Sequence, residues 1–204
     1  MEKFKFIALW LCLILIGVYF LQVLIPSFTE TLILNESSFV QPWRFITSIF
    51  LHGSLPHLLY NLFALGLFGS ILEKLIGEKK FLLVFFLSGL VANLVSVNFY
   101  ESSLGASGAI YGILGALTVI RPKMIVWASG FPMPMFLAAT VWVAGSVMGV
   151  FIPSNIGHIA HLSGILAGFV FGILVRNEMP KQKKREKIKI PENYMRVWED
   201  NYMR

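Results

Sequence analysis

Three short stretches carry residues able to do chemistry: His57 with Asn61, Ser107 with Tyr111, and His158 with His161. The first two pairs are each spaced by four, so on a helix each shares one face. A serine and a histidine are enough for nucleophilic catalysis. A neutral, well-placed imidazole takes the hydroxyl proton while the oxygen attacks a carbonyl. Ser107 lies in Gly105-Ala106-Ser107-Gly108. This is not the hydrolase elbow GxSxG, because residue 109 is alanine. It fits a helix start instead, where backbone N–H groups lack intrahelical partners and can donate to an oxyanion. The Asn61 amide and the His57 imidazole could aim at the same point, each donor contributing roughly 2.7–4 kcal/mol. Tyr111, one turn after Ser107, could lie beneath the serine and fix the histidine plane.

The remaining residues exclude other chemistries. The only aspartate is Asp200, in the C-terminal tail. A buried carboxylate pair and a Ser-His-Asp triad are therefore both ruled out. Glu73 is the only acid inside an apolar span, and it lies at the end away from the histidines. No HExxH is present, and His158 with His161 have no accompanying carboxylate, so no metal and no other cofactor is expected. Cys12 is the sole cysteine, which excludes an intrachain disulfide. His52 and His158 read as satisfied polar groups at a membrane surface.

These residues need elements to hold them. Of 204 residues, 56% are hydrophobic and 14% charged, against roughly 25% charged in soluble domains. The expected class is all-α: a polytopic membrane protein with a six-helix bundle. Spans are predicted at about 6–25, 57–76, 81–100, 106–120, 132–150 and 158–175, the fourth being short. Pro132 and Pro134 mark the start of the fifth, or a kink in it. The apolar run from Phe6 is too long for a signal peptide and reads as a retained span. Residues 1–176 then form one membrane domain, and 177–204 a basic cytoplasmic tail with the run KQKKREKIK at 181–189. The net charge of +6 is no sign of nucleic acid, because the basic residues border the spans. With the N-terminus inside, 16 of the 17 Lys and Arg fall on the inner side and only Arg44 falls outside. The positive-inside rule thus puts both termini in the cytoplasm. Spans two, four and six then enter from outside, and their first turns hold all six residues named at the outset. Polar groups inside a bilayer are costly and face the bundle interior or a wet cavity. Small-residue stripes, Gly108 with Gly112 and Ala160 with Gly164 and Gly168, would let spans four and six approach closely.

With these residues in view, the sequence resembles the rhomboid family of intramembrane serine proteases, from Pro42 to about Val175. Trp43-Arg44 resembles the family's outer-loop pair, and the stretch from His52 through His57 to Asn61 its second-span signature. Glu73 resembles the acid at that span's end. Gly105 to Gly108 with Tyr111 is similar to its GxSG motif, and Ala160-His161 with Gly164 and Gly168 to its AHxxG motif. The resemblance implies Ser107 as nucleophile and His161 as general base and then acid. It implies an oxyanion hole from His57, Asn61 and the Ser107 N–H, and a lateral gate at the fifth span around Trp142 and Phe151. It further implies a minimal six-span form in the cell membrane. Its substrates would be membrane-anchored proteins, cut within or beside a transmembrane segment. The competing expectations are an inactive relative that binds membrane clients, and a small transporter. Oligomeric state is not legible.

Overall fold

A computed structural model describes residues 5–128, 130–178 and 191–203. The basic run at 181–189 lies outside the described residues.

Helix α1 spans Ile7–Leu24. A long loop follows, with the short helices α2 (Phe28–Leu32) and α3 (Arg44–Thr47). A strand β1 (Leu34–Asn35) lies between them. Helix α4 (Leu55–Ala64) continues through one wide π turn at Leu65–Gly69 into α5 (Ser70–Ile76). Ser54 caps α4 by accepting from the His57 N–H, and Pro56 stands in the first turn, where its missing N–H costs nothing. Gly77, at φ +81°, breaks the chain before α6 (Glu78–Ser96). Strand β2 (Ser102–Ser103) pairs antiparallel with β1. Then come α7 (Ser107–Ile120), strands β3 (Ile125–Ala128) and β4 (Phe131–Pro134), α8 (Met135–Val150), α9 (His158–Glu178) and α10 (Glu192–Tyr202). The molecule is a polytopic membrane helical bundle. Helix α1, the joined α4–α5, α6 and α9 are each long and apolar enough to cross a membrane, while α7 and α8 are shorter.

The fifth predicted span begins later than expected. Pro132 and Pro134 are not in a kinked helix. They lie in β4, which pairs with β3 as a hairpin turned at Gly130 (φ +83°). Proline has no N–H to donate, so it suits a two-stranded edge, and Pro134 is the residue immediately before α8.

Helices α6, α7 and α9 form the centre, packed through small residues. A Cβ on Gly164 would strike the Gly108 carbonyl, and one on Gly168 the Gly112 carbonyl. Gly115 meets the backbone of α9 at Ile165, and Gly172 the backbone of α7 at Ala116, so the contact runs further than the two predicted stripes. On the other side of α7, Ser88 of α6 packs onto Gly112 and Ala92 onto Gly108.

The long loop is tied down by polar side chains. Arg44 is buried and donates to the carbonyls of Glu30 and Ile33, each at 2.8 Å, and to Gln41 Oε1 at 2.6 Å. Asn93 of α6 donates to the Phe45 carbonyl and to Ser48 Oγ. Gln22 of α1 accepts from the His52 N–H and donates to the His52 carbonyl. Glu73 caps another element. Its buried carboxylate accepts from the N–H groups of Ile7 and Ala8, both at 3.0 Å. These are orphan donors at the start of α1, and a negative charge there also suits the helix dipole.

Candidate active site

Ser107 is the first residue of α7, so its own N–H has no intrahelical acceptor. The turn before it depends on Gly105, at φ +122°. A Cβ there would be strained and would lie 2.7 Å from the His57 ring. The Gly105 N–H donates to the Ser48 carbonyl at 2.9 Å, which fixes this turn to the end of the long loop between α1 and α4. Glycine is thus required twice, by the backbone angle and by the imidazole packed against it.

His161, in the first turns of α9, brings Nε2 to 2.9 Å from Ser107 Oγ. The glycine contact between α7 and α9 permits this approach. Tyr111 stacks on the His161 ring at a centroid distance of 4.2 Å, with 8° between the planes. The ring is therefore held flat from below, and His161 is only 8% exposed. Tyr100, just after α6, accepts from the Ile159 N–H at 3.0 Å and steadies the start of α9.

His57 and Asn61 lie one turn apart on α4. The Asn61 amide donates one hydrogen to the His57 carbonyl at 2.8 Å, leaving its second N–H uncommitted. Both residues line the same cavity as Ser107 and His161, a hollow of about 1330 Å³. Trp142 of α8 also lines it and meets Phe68 of the π turn edge-to-face at 5.9 Å. Phe151 lies just past α8 and is 82% exposed. Trp43 is half-exposed beside the buried Arg44.

Of the other two histidines, His52 departs from the sequence expectation. His52 is not at a surface. It is 2% exposed, packed edge-on against His57 at 5.0 Å, and neither ring nitrogen has a hydrogen-bond partner among the described residues. Burial holds its pKa down at about 4, the charge of His57 adding a smaller push. The ring is therefore neutral near pH 7 and buttresses His57 without competing for protons. His158 bonds Ser154 through Nε2 at 3.2 Å, and its ring fills the notch left by Gly149 of α8. It touches His161 only edge-on, at 6.1 Å. Among the described residues no three His, Cys, Asp or Glu side chains are grouped to hold a metal ion. Sequence reasoning missed Tyr100, Gln22 and Asn93, whose bonds join distant elements and leave no local pattern.

The Rhomboid domain profile matches residues 39–178, a stretch that includes every residue of this cluster. The chain belongs to the rhomboid family. It is 36% identical over 138 residues to the rhomboid protein YdcA of Bacillus subtilis (strain 168), covering 65% of this chain and 66% of that one. It is 32% identical over 151 residues to the rhomboid protease GluP of the same organism, where the match covers 69% of this chain but only 29% of GluP. The rhomboid protease GlpG of Haemophilus influenzae is 29% identical over 136 residues, or 69% of its length.

Proposed function

We propose that this rhomboid is an intramembrane serine endopeptidase that cleaves membrane-anchored proteins within or beside a transmembrane segment. The observation that carries the reading is the 2.9 Å contact between Ser107 Oγ and His161 Nε2. In the proposed reaction the Ser107 hydroxyl donates its proton to Nε2 as Oγ bonds to the scissile carbonyl carbon. The carbonyl oxygen takes the negative charge. Three donors face it: the Ser107 N–H, the free N–H of Asn61 and the His57 ring. His161 then passes the proton to the leaving amine, and the C–N bond breaks, leaving an acyl ester on Ser107. A water molecule, deprotonated by His161, attacks that ester; the bond from Ser107 Oγ to the acyl carbon breaks, and His161 returns the proton to Oγ. Tyr111 keeps the imidazole plane fixed throughout. No cofactor takes part.

The proposed orientation puts both termini in the cytoplasm of a cell-membrane protein, following the charge asymmetry of 16 to 1. Helix α7 has 14 residues and is roughly 21 Å long, against about 30 Å of hydrocarbon. With its C-terminal end at the inner surface, Ser107 lies roughly 9 Å below the outer one. Water then reaches it through the hollow that Ser107 lines. The test is labelling by a serine-directed fluorophosphonate together with cleavage of a model membrane-anchored substrate in liposomes. Ser107→Ala should lose both, and unchanged cleavage in that variant would refute the assignment.

A further inference from the structure

The hollow does not end at the serine. It runs on between α4 and α8 until it meets the hairpin, where Trp127 and Ala128 line it. Its polar groups are gathered at one end, around Ser107, His161, His57 and Asn61. Away from that end the walls are Phe63, Phe68, Trp142 and Trp127. Two of these are strongly exposed, Phe63 at 65% and Trp127 at 69%. Trp127 follows the C-terminal end of α7, and Ser107 is at its start. The length of α7 separates them by on the order of 20 Å. The hairpin also exposes Ile125 and Phe131, a pattern that suits the headgroup level, where tryptophan is favoured.

We propose that the β3–β4 hairpin is the floor of this groove and that Trp127 contacts the substrate's transmembrane helix about 14 residues from the cleaved bond. This rests on the protease reading above. The occupant follows from the shape: polar where a peptide bond must be opened, apolar for the rest, and continuous with the reacting serine. A helix rising 1.5 Å per residue covers the distance in about 14 residues. The hairpin thus measures how far the apolar part of a substrate extends beyond its cleavage site. Trp127 is a specificity determinant and touches no reacting atom.

The experiment uses the full chain in liposomes with a photo-crosslinking amino acid at position 127 and a model membrane-anchored substrate. Position 174 on α9, exposed but not lining the groove, is the control. Crosslinks from position 127 should fall about 12–16 residues from the scissile bond and exceed those from 174. Equal yields at both positions would overturn the proposal, as would crosslinks scattered along the substrate. In a kinetic arm, Trp127→Ser should raise KM for the anchored substrate about threefold to tenfold, with kcat changed much less. An unchanged KM would also count against it. Crosslinking needs no turnover, so it separates the two ideas. Loss of Ser107 labelling with a correct crosslink pattern would fault the catalytic reading. Normal labelling with no specific crosslink would fault the groove.

Discussion

Two seams of this bundle treat glycine in opposite ways. Between α7 and α9, Gly168 has no room for a Cβ, because the Gly112 carbonyl occupies that space. On α8, whose Trp142 lines the groove, Gly145 looks into open space, with nothing within 4 Å of where its Cβ would be. The first seam is backbone against backbone, and helices in that arrangement cannot slide without losing contact along their whole length. The second is closed by large side chains such as Phe68 and Trp142, which turn about single bonds. The division matches the work proposed for each. The pair at Ser107 and His161 needs a distance held to a fraction of an ångström. A groove that admits a helix needs a wall that yields.

The largest effect tests the first seam directly. Gly168→Val drives two methyl groups into the α7 backbone, and neither helix can step aside. Folding stability in detergent should fall by about 3 kcal/mol or more, with cleavage activity lost. Gly145→Ala is the matched change on α8. It should leave stability the same or up to about 1 kcal/mol higher, since alanine is the better helix former. Denaturation curves of the two variants measure the contrast directly. Equal sensitivity would mean the seams do not differ as described.

Much of the rigid seam could be read from the sequence, because small residues spaced by four need only helical geometry to be aligned. Gly108, Gly112, Gly164 and Gly168 were visible in this way. Gly115 was hidden by its spacing of three from Gly112, and it joins the seam only because the two helices stay in contact that far down. The serine and histidine were legible as residue types in the first turns of two apolar segments. That they touch depends on the seam, 54 residues of chain apart. The yielding side was far less legible. The hairpin was hidden in an apolar run whose prolines read as helix signals. The cap from Glu73 to α1 spans 66 residues, and His52 gives no hint of burial in a stretch with both glycine and proline. Contacts of this kind have no period, so no pattern announces them.

Asn61 comes next in size. It belongs to α4, the wall on the groove side, yet it is 5% exposed and its amide is already held by the His57 carbonyl. If this part of α4 is as fixed as the rigid seam, the amide is a preorganised donor. Asn61→Ala should then lower kcat by about 10²-fold with little change in KM. A loss confined to KM would move the residue from the chemistry to substrate binding, and would place the boundary between rigid and yielding parts above it.

The smallest expected effect has the opposite sign, and for that reason it discriminates best. Trp142→Leu removes the edge-to-face partner of Phe68 but keeps α8 apolar. An aromatic pair of this kind contributes about 0.5–1.5 kcal/mol. If it holds the wall closed, its loss raises the open population by roughly 2- to 12-fold. Cleavage of a membrane-anchored substrate should therefore become faster by up to that factor, with fluorophosphonate labelling of Ser107 no slower. A damaged rigid element can only slow the enzyme, whereas a weakened gate can speed it. A slower Trp142→Leu enzyme would show that the tryptophan belongs to the framework, and the two-seam description would then have to be redrawn with α8 on the rigid side.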